Sequence, residues 1–160
     1  MRDATPADYA SAIQLAAVSG GDYHSMYVSG LDRFGRSAAL SASRLRAPLL
    51  AGRDPDMEGL VGECLALAPT DPGILGTCAM WLCASGNPDS ALVLAERAVM
   101  AQVSPSRSSF EIACACAVSA GRTDRLSALA AYASSRYPGD PGFREYSMEP
   151  GSGTFGEPTE

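Results

Sequence analysis

Apolar residues recur at three- and four-residue steps along most of the chain. Leu60, Cys64, Leu67 and Ala68 mark one such run, Leu92, Ala95, Val99 and Val103 a second, and Leu126, Leu129, Ala130 and Ala133 a third. That spacing places each set on one side of an α-helix and gives every helix a stripe to bury. No stretch alternates convincingly at the two-residue step of a half-buried strand, and Val, Ile and Thr are sparse. The pattern predicts an all-α chain.

Between the runs lie turns of nearly constant chemistry: Ala51-Gly52-Arg53-Asp54-Pro55-Asp56, Ser85-Gly86-Asn87-Pro88-Asp89 and Ala120-Gly121-Arg122-Thr123-Asp124. Their glycines stand 34 residues apart (Gly52 to Gly86) and then 35 (Gly86 to Gly121), a period that belongs to stacked helix pairs rather than to a single closed domain. A second marker keeps the same beat. Pro69-Thr70-Asp71-Pro72 and Pro138-Gly139-Asp140-Pro141 lie 69 residues apart, with Val103-Ser104-Pro105-Ser106 in the slot between them.

A glycine just past a helix takes the left-handed conformation that closes it. Asp89 and Asp124, and Asp56 one residue later in its own turn, are placed to cap the helix that follows. Asp71 and Asp140, each ahead of a proline at a first helical position, start the next pair. One unit is therefore helix, tight turn, helix and short Pro/Asp connection. Upstream, Thr5-Pro6 opens a helix over residues 4–19 that stops at Gly20-Gly21-Asp22, and Tyr23 to Phe34 stops at Gly35. These two segments predict a divergent or capping N-terminal hairpin, because the terminal unit of an array must present one face to water. Pro141 to Tyr146 reads as the short start of a last helix, for a total of about seven helices and a short eighth. The resulting domain spans 1–146. Residues 147–160, rich in Gly, Pro and Glu, predict a flexible acidic tail.

In these units the slots of the middle repeat are Leu75, Cys78, Ala79, Leu82, Ala91, Ala95, Ala98 and Val103. Those of the next are Phe110, Ala113, Cys114, Ala117, Leu126, Ala130, Ala133 and Pro138. They resemble the tetratricopeptide repeat family, whose pattern alternates large and small residues and closes on proline. The resemblance covers roughly residues 37 to 141. Size is kept more than identity, since Ala95 and Ala130 occupy aromatic slots and Leu82 and Ala117 occupy tyrosine slots; the units are degenerate. The resemblance implies a right-handed superhelical stack of about three helix-turn-helix repeats behind the N-terminal hairpin.

It also implies a concave face built from the first helix of each pair. The slots pointing into that groove are Ala42, Arg46 and Leu49, then Gly76, Met80 and Cys83, then Glu111, Ala115 and Val118. Members of the family that grip a chaperone's C-terminal carboxylate need Lys, Asn and Arg there, and only Arg46 is cationic. The resemblance therefore implies no binding of such acidic tails. A small, apolar groove with an adaptable methionine suits a hydrophobic peptide or helix segment, so the expected function is a protein–protein scaffold or adaptor. Chaperones of type III secretion translocator subunits look similar at the level of architecture and give an alternative role. The same slots also admit cover by the N-terminal hairpin or by a second copy of the chain, giving a homodimer or a self-assembling array.

Charge and chemistry narrow the picture. A net charge of −6 argues against nucleic acid, which needs clustered cations. The one basic cluster, Arg33, Arg36, Arg44, Arg46 and Arg53, reads as a solvated helix face. All 12 cations are arginine, so lysine nucleophiles and a phosphate-loop lysine are excluded. Cys64, Cys78, Cys83, Cys114 and Cys116 lie within helices without the paired spacing of a zinc site; Cys114 and Cys116 point roughly 200° apart on one helix. Buried reduced thiols are expected, with no metal and no cofactor. Asp22, His24 and Ser25 hold triad chemistry on adjacent residues, whereas a triad converges from separate elements, so the chain is not expected to be an enzyme. The opening residues lack an uninterrupted apolar stretch, and the weakly polar segment from Gly73 to Pro88 is too short to span a bilayer. The expected compartment is the cytoplasm.

Overall fold

The computed structural model describes residues 3–51 and 58–147. These residues form nine α-helices and no strand: α1 Pro6–Ser19, α2 Tyr23–Phe34, α3 Ala38–Ala51, α4 Glu58–Leu67, α5 Pro72–Ala84, α6 Pro88–Met100, α7 Arg107–Ser119, α8 Thr123–Arg136 and α9 Pro141–Ser147. The periodicity implies seven and a short eighth, one too few. The stripe of α3 is the hardest to see, because Arg44, Arg46 and Pro48 interrupt it, and Pro48 lies inside the helix with its side chain fully buried. The turn at Gly52 and the cap at Asp56 fall outside the described residues, as does the tail beyond residue 147. Among the described residues no helix is long and apolar enough to cross a membrane.

The punctuation follows backbone chemistry. Thr5 and Asp8 form a reciprocal capping box at α1, Asp22 caps α2 by accepting from Ser25 N, and Asp71 caps α5 by accepting from Ile74 N at 2.9 Å. Gly86 and Gly121 adopt left-handed φ values of 79° and 65°. After them Asn87 N donates to the Leu82 carbonyl at 2.8 Å, and Arg122 N to that of Ala117 at 2.9 Å. The two turns therefore close their helices with the same bonds, one period apart. Asp89 and Asp124 do not cap. The chain re-enters the helix at Pro88 and Thr123, which makes Asn87 and Arg122 the cap residues, without a side-chain bond. Both aspartates fall in the first turn, where their charge favours the positive end of the helix.

Backbones pack only between helices one or two apart in the chain. α1, α3, α5 and α7 touch in sequence as one row, while α2, α4, α6 and α8 each touch only the helix before and the helix after. Small side chains allow this close approach: Ala95, Ala117 and Ala130 are all completely buried.

The main core runs from Leu45 and Val61 through Leu75, Trp81 and Val99 to Phe110 and Phe143. A separate cluster of Ile13, Ala17, Leu40 and Ala47, flanked by Tyr9, Tyr23, Tyr27 and Phe34, holds the N-terminal hairpin on α3. Helix α3 thus serves both, through Leu40 and Ala47 on one side and Leu45 on the other. Gly30 of α2 completes the second cluster by close approach, since a Cβ there would stand 3.0 Å from Leu40 Cδ2 and 3.3 Å from Tyr9 Cδ1.

Candidate functional site

The row α3–α5–α7 carries all of the groove slots, and their exposure rises along it. On α3, Arg46 is half-buried, and Ala42 and Leu49 pack against the core. Helix α5 is buried on nearly every side, from Ile74 to Ala79 and again at Trp81, which leaves Met80 exposed and Cys83 half-buried. On α7, Glu111, Ala115 and Val118 are exposed, Val118 to 53%. Among the counted slots the exposed apolar surface is thus concentrated on Met80, Ala115 and Val118.

Two cavities divide the rest of these residues. One, of about 230 Å³, lies between α3, α5 and α7; Arg46, Gly76, Thr77, Gln102, Ser108 and Ile112 are among its walls. Arg46 Nη2 donates to Thr77 Oγ1 at 2.7 Å, and Thr77 in turn donates to the Gly73 carbonyl. The second, of about 330 Å³, lies between α7 and α9, with Glu111, Ala115, Phe143 and Tyr146 around it. Arg107 spans its edge, bonding Glu111 at 2.8 Å and Asp140 at 2.6 Å. The Arg107 guanidinium holds the Asp140 carboxyl below the usual carboxylate range. Leu49, Met80, Cys83 and Val118 line neither cavity. The structure therefore brings Arg46 together with Gly76, and Glu111 with Ala115, and spreads the others along the row.

The basic residues do not share a single solvated face. Arg33 lies over the Phe34 ring at 5.5 Å, and Arg44 lies over Tyr23 at 5.4 Å with its Nη1 buried. Arg33 and Arg36 are exposed while Arg44 and Arg46 are half-buried; Arg53 lies outside the described residues. Sequence reasoning missed the polar wall around Arg46. Gln102 and Ser106 sit in the connection into α7 and Ser109 in its first turn, where they read only as punctuation. The run Ser104-Pro105-Ser106-Arg107-Ser108-Ser109 was the available signal, and its hydroxyl density exceeds what a cap requires.

All five cysteines are free thiols, and four are buried. Cys64 of α4 is hydrogen-bonded to Cys78 of α5, and that bond together with burial pushes the Cys64 thiol up. Burial, and then Cys83, raise Cys116 to about 12, and burial alone raises Cys114 to about 11. Thiolate is the reactive form, so Cys64, Cys114 and Cys116 are unreactive at neutral pH; the bond with Cys64 lowers the Cys78 thiol instead, and its complete burial is what protects it. A water-soluble disulfide reagent added to the native protein at pH 7 is expected to modify Cys83 fast and the other four only on unfolding. More than one fast thiol, counted by mass, contradicts this packing.

Asp22, His24 and Ser25 do not converge on a site. Asp22 accepts from both Ser25 N and Ser25 Oγ as the cap of α2, at 3.0 and 2.6 Å, and His24 is exposed beside it. Glu63 accepts from the buried Ser41 hydroxyl at 2.9 Å, and Glu111 is tied to Arg107. No group of three metal-ligating side chains gathers among the described residues. No family model, curated protein or solved structure matches the chain.

Proposed function

We propose that the chain is a degenerate tetratricopeptide-like array that holds an apolar segment of a partner protein along α3, α5 and α7. The single observation that carries this is the exposure of Met80, Ala115 and Val118, apolar residues on adjacent helices of one row. Met80 and Ala115 stand one period of 35 residues apart, so they occupy the same slot of successive units. The matching turns at Gly86 and Gly121 and the restriction of backbone packing to near neighbours support a right-handed stack of three repeats behind the N-terminal hairpin. Met80 suits such a face because its unbranched side chain repacks around different partners.

The test is capture of partners by the wild-type chain and by Met80→Glu at equal helicity, followed by binding of purified segments from whatever is captured. A charge set into an apolar contact is expected to weaken binding at least roughly tenfold, which is about 1.4 kcal/mol. A true segment also raises the melting temperature of the wild-type chain, since a ligand at about 100 times its Kd adds about 2.7 kcal/mol. Equal affinity of the two chains for the purified segment sinks the groove.

A further inference from the structure

The cavity between α3, α5 and α7 has a chemistry that the apolar row alone does not explain. Arg46 is the only charged residue lining it. Half-buried, it forms no ion pair among the described residues, and its one hydrogen bond there goes to Thr77 Oγ1. A guanidinium has five N–H donors and stays charged at every physiological pH, so most of its donors have no protein partner among the described residues.

Three of the side-chain oxygens around it each accept one bond already. Thr77 Oγ1 accepts from Arg46, Ser109 Oγ accepts from Gln102 Nε2 at 2.8 Å, and Gln102 Oε1 accepts from Ser106 N at 3.2 Å. The Ser108 hydroxyl has no partner among the described residues and adds a further donor. Asp71, next in sequence to the lining residue Pro72, is turned into the cap of α5, where Oδ1 accepts from Ile74 N. Gly76 contributes no side chain to the wall; a Cβ there would meet Ile112 Cδ1 at an ordinary contact distance of 3.5 Å, and a larger side chain would take up cavity space. A pocket whose only charge is a guanidinium with donors to spare recognises an oxyanion.

We propose that this cavity receives the carboxylate of an internal Asp or Glu side chain in the segment bound along the row, an inference that rests on the groove reading above. The placement favours a side chain over a chain terminus. Leu49, Cys83 and Val118 lie toward the C-terminal ends of their helices, whereas Gly73, Gly76 and Ser108 border the cavity nearer the starts of α5 and α7. A segment crossing the helices over the apolar slots passes the cavity at its side and drops one side chain into it. The segment recognised is thus apolar with a single acid, complementary to the one groove cation.

The test uses the full chain and two blocked peptides, acetyl-Leu-Glu-Leu-amide and acetyl-Leu-Gln-Leu-amide, with the Arg46 Nε–Hε resonance as readout. Acetate and inorganic phosphate are titrated separately. The Glu peptide is expected to move the resonance saturably and to bind roughly 10-fold tighter than the Gln peptide. That advantage disappears in Arg46→Gln and in Gly76→Val, which keeps the charge but fills the cavity. It also disappears below about pH 4, where the glutamate becomes protonated and neutral while Arg46 keeps its charge. Equal binding of the two peptides to the wild-type chain overturns the carboxylate site, as does an Arg46 resonance that acetate does not move. Phosphate moving the resonance while the peptides bind alike also overturns it, marking a free-anion site instead. Met80→Glu weakening both peptides by the same factor keeps the groove. If Met80→Glu weakens neither, while the wild-type chain keeps its preference for Glu, the groove fails and the anion pocket alone survives.

Discussion

Replacing Phe110 by alanine is expected to lower the unfolding free energy by about 3–5 kcal/mol. The ring is completely buried and meets three others edge-on or nearly so: Tyr132 at a centroid distance of 5.1 Å, Tyr137 at 6.2 Å and Phe143 at 6.1 Å. Those partners come from α8, from the connection after it and from α9. One truncation therefore removes both the transferred apolar area and the edge-to-face contacts that tie three helices together, and leaves a cavity that the fixed backbone fills only partly. The damage is expected to stay local. Hydrogen exchange in the variant is predicted to speed up first across α7, α8 and α9, with the amides of α1 and α3 keeping their wild-type protection. Uniform acceleration in all helices is the result that contradicts this picture.

Ile13→Ala is the counterpart at the other end, with an expected loss of about 2–5 kcal/mol. Ile13 is completely buried against Ala17, Leu40 and Ala47, a cluster separate from the main core, so the loss falls on the attachment of α1 and α2 to α3. The chain has a single tryptophan, Trp81, and it sits in the main core. Helix content and tryptophan fluorescence thus report on different parts of the molecule. In a urea titration of the variant, helical circular dichroism is expected to fall at lower denaturant than the fluorescence change. Coincident transitions show instead that the hairpin and the body unfold as one unit.

Much of this arrangement is readable in the primary structure. The glycines at 86 and 121 are legible because a left-handed closing residue and a proline or threonine start are local requirements, and both adopt the required φ. Buried alanines in the slots at 95, 117 and 130 follow from the same period. What escapes depends on pairs that meet across helices. Arg107 and Asp140 are joined over 33 residues, and Cys64 with Cys78 meets across α4 and α5; neither pairing is encoded in a local spacing. Asp89 and Asp124 are misplaced by sequence reasoning because an Asp near a turn suits both the cap and the first helical turn, and only the position of helix entry separates them. For the groove, the slots are countable from the turns, but their accessibility is not. Whether Leu49 is half-covered and Val118 open depends on how many helices flank each one.

The restriction of backbone packing to helices one or two places apart bears on how the chain is made. A helix leaving the ribosome finds all of its earlier partners in the two helices synthesised just before it. Among the described residues no strand or distant segment has to be awaited, so their structure can accumulate in the order of synthesis. Contacts this close in sequence incur little loop-closure entropy and place the protein among fast folders. The alanine-rich interfaces, which look like a loss of signature residues, then have a second merit: each newly made helix docks on a small, smooth surface before the next one arrives.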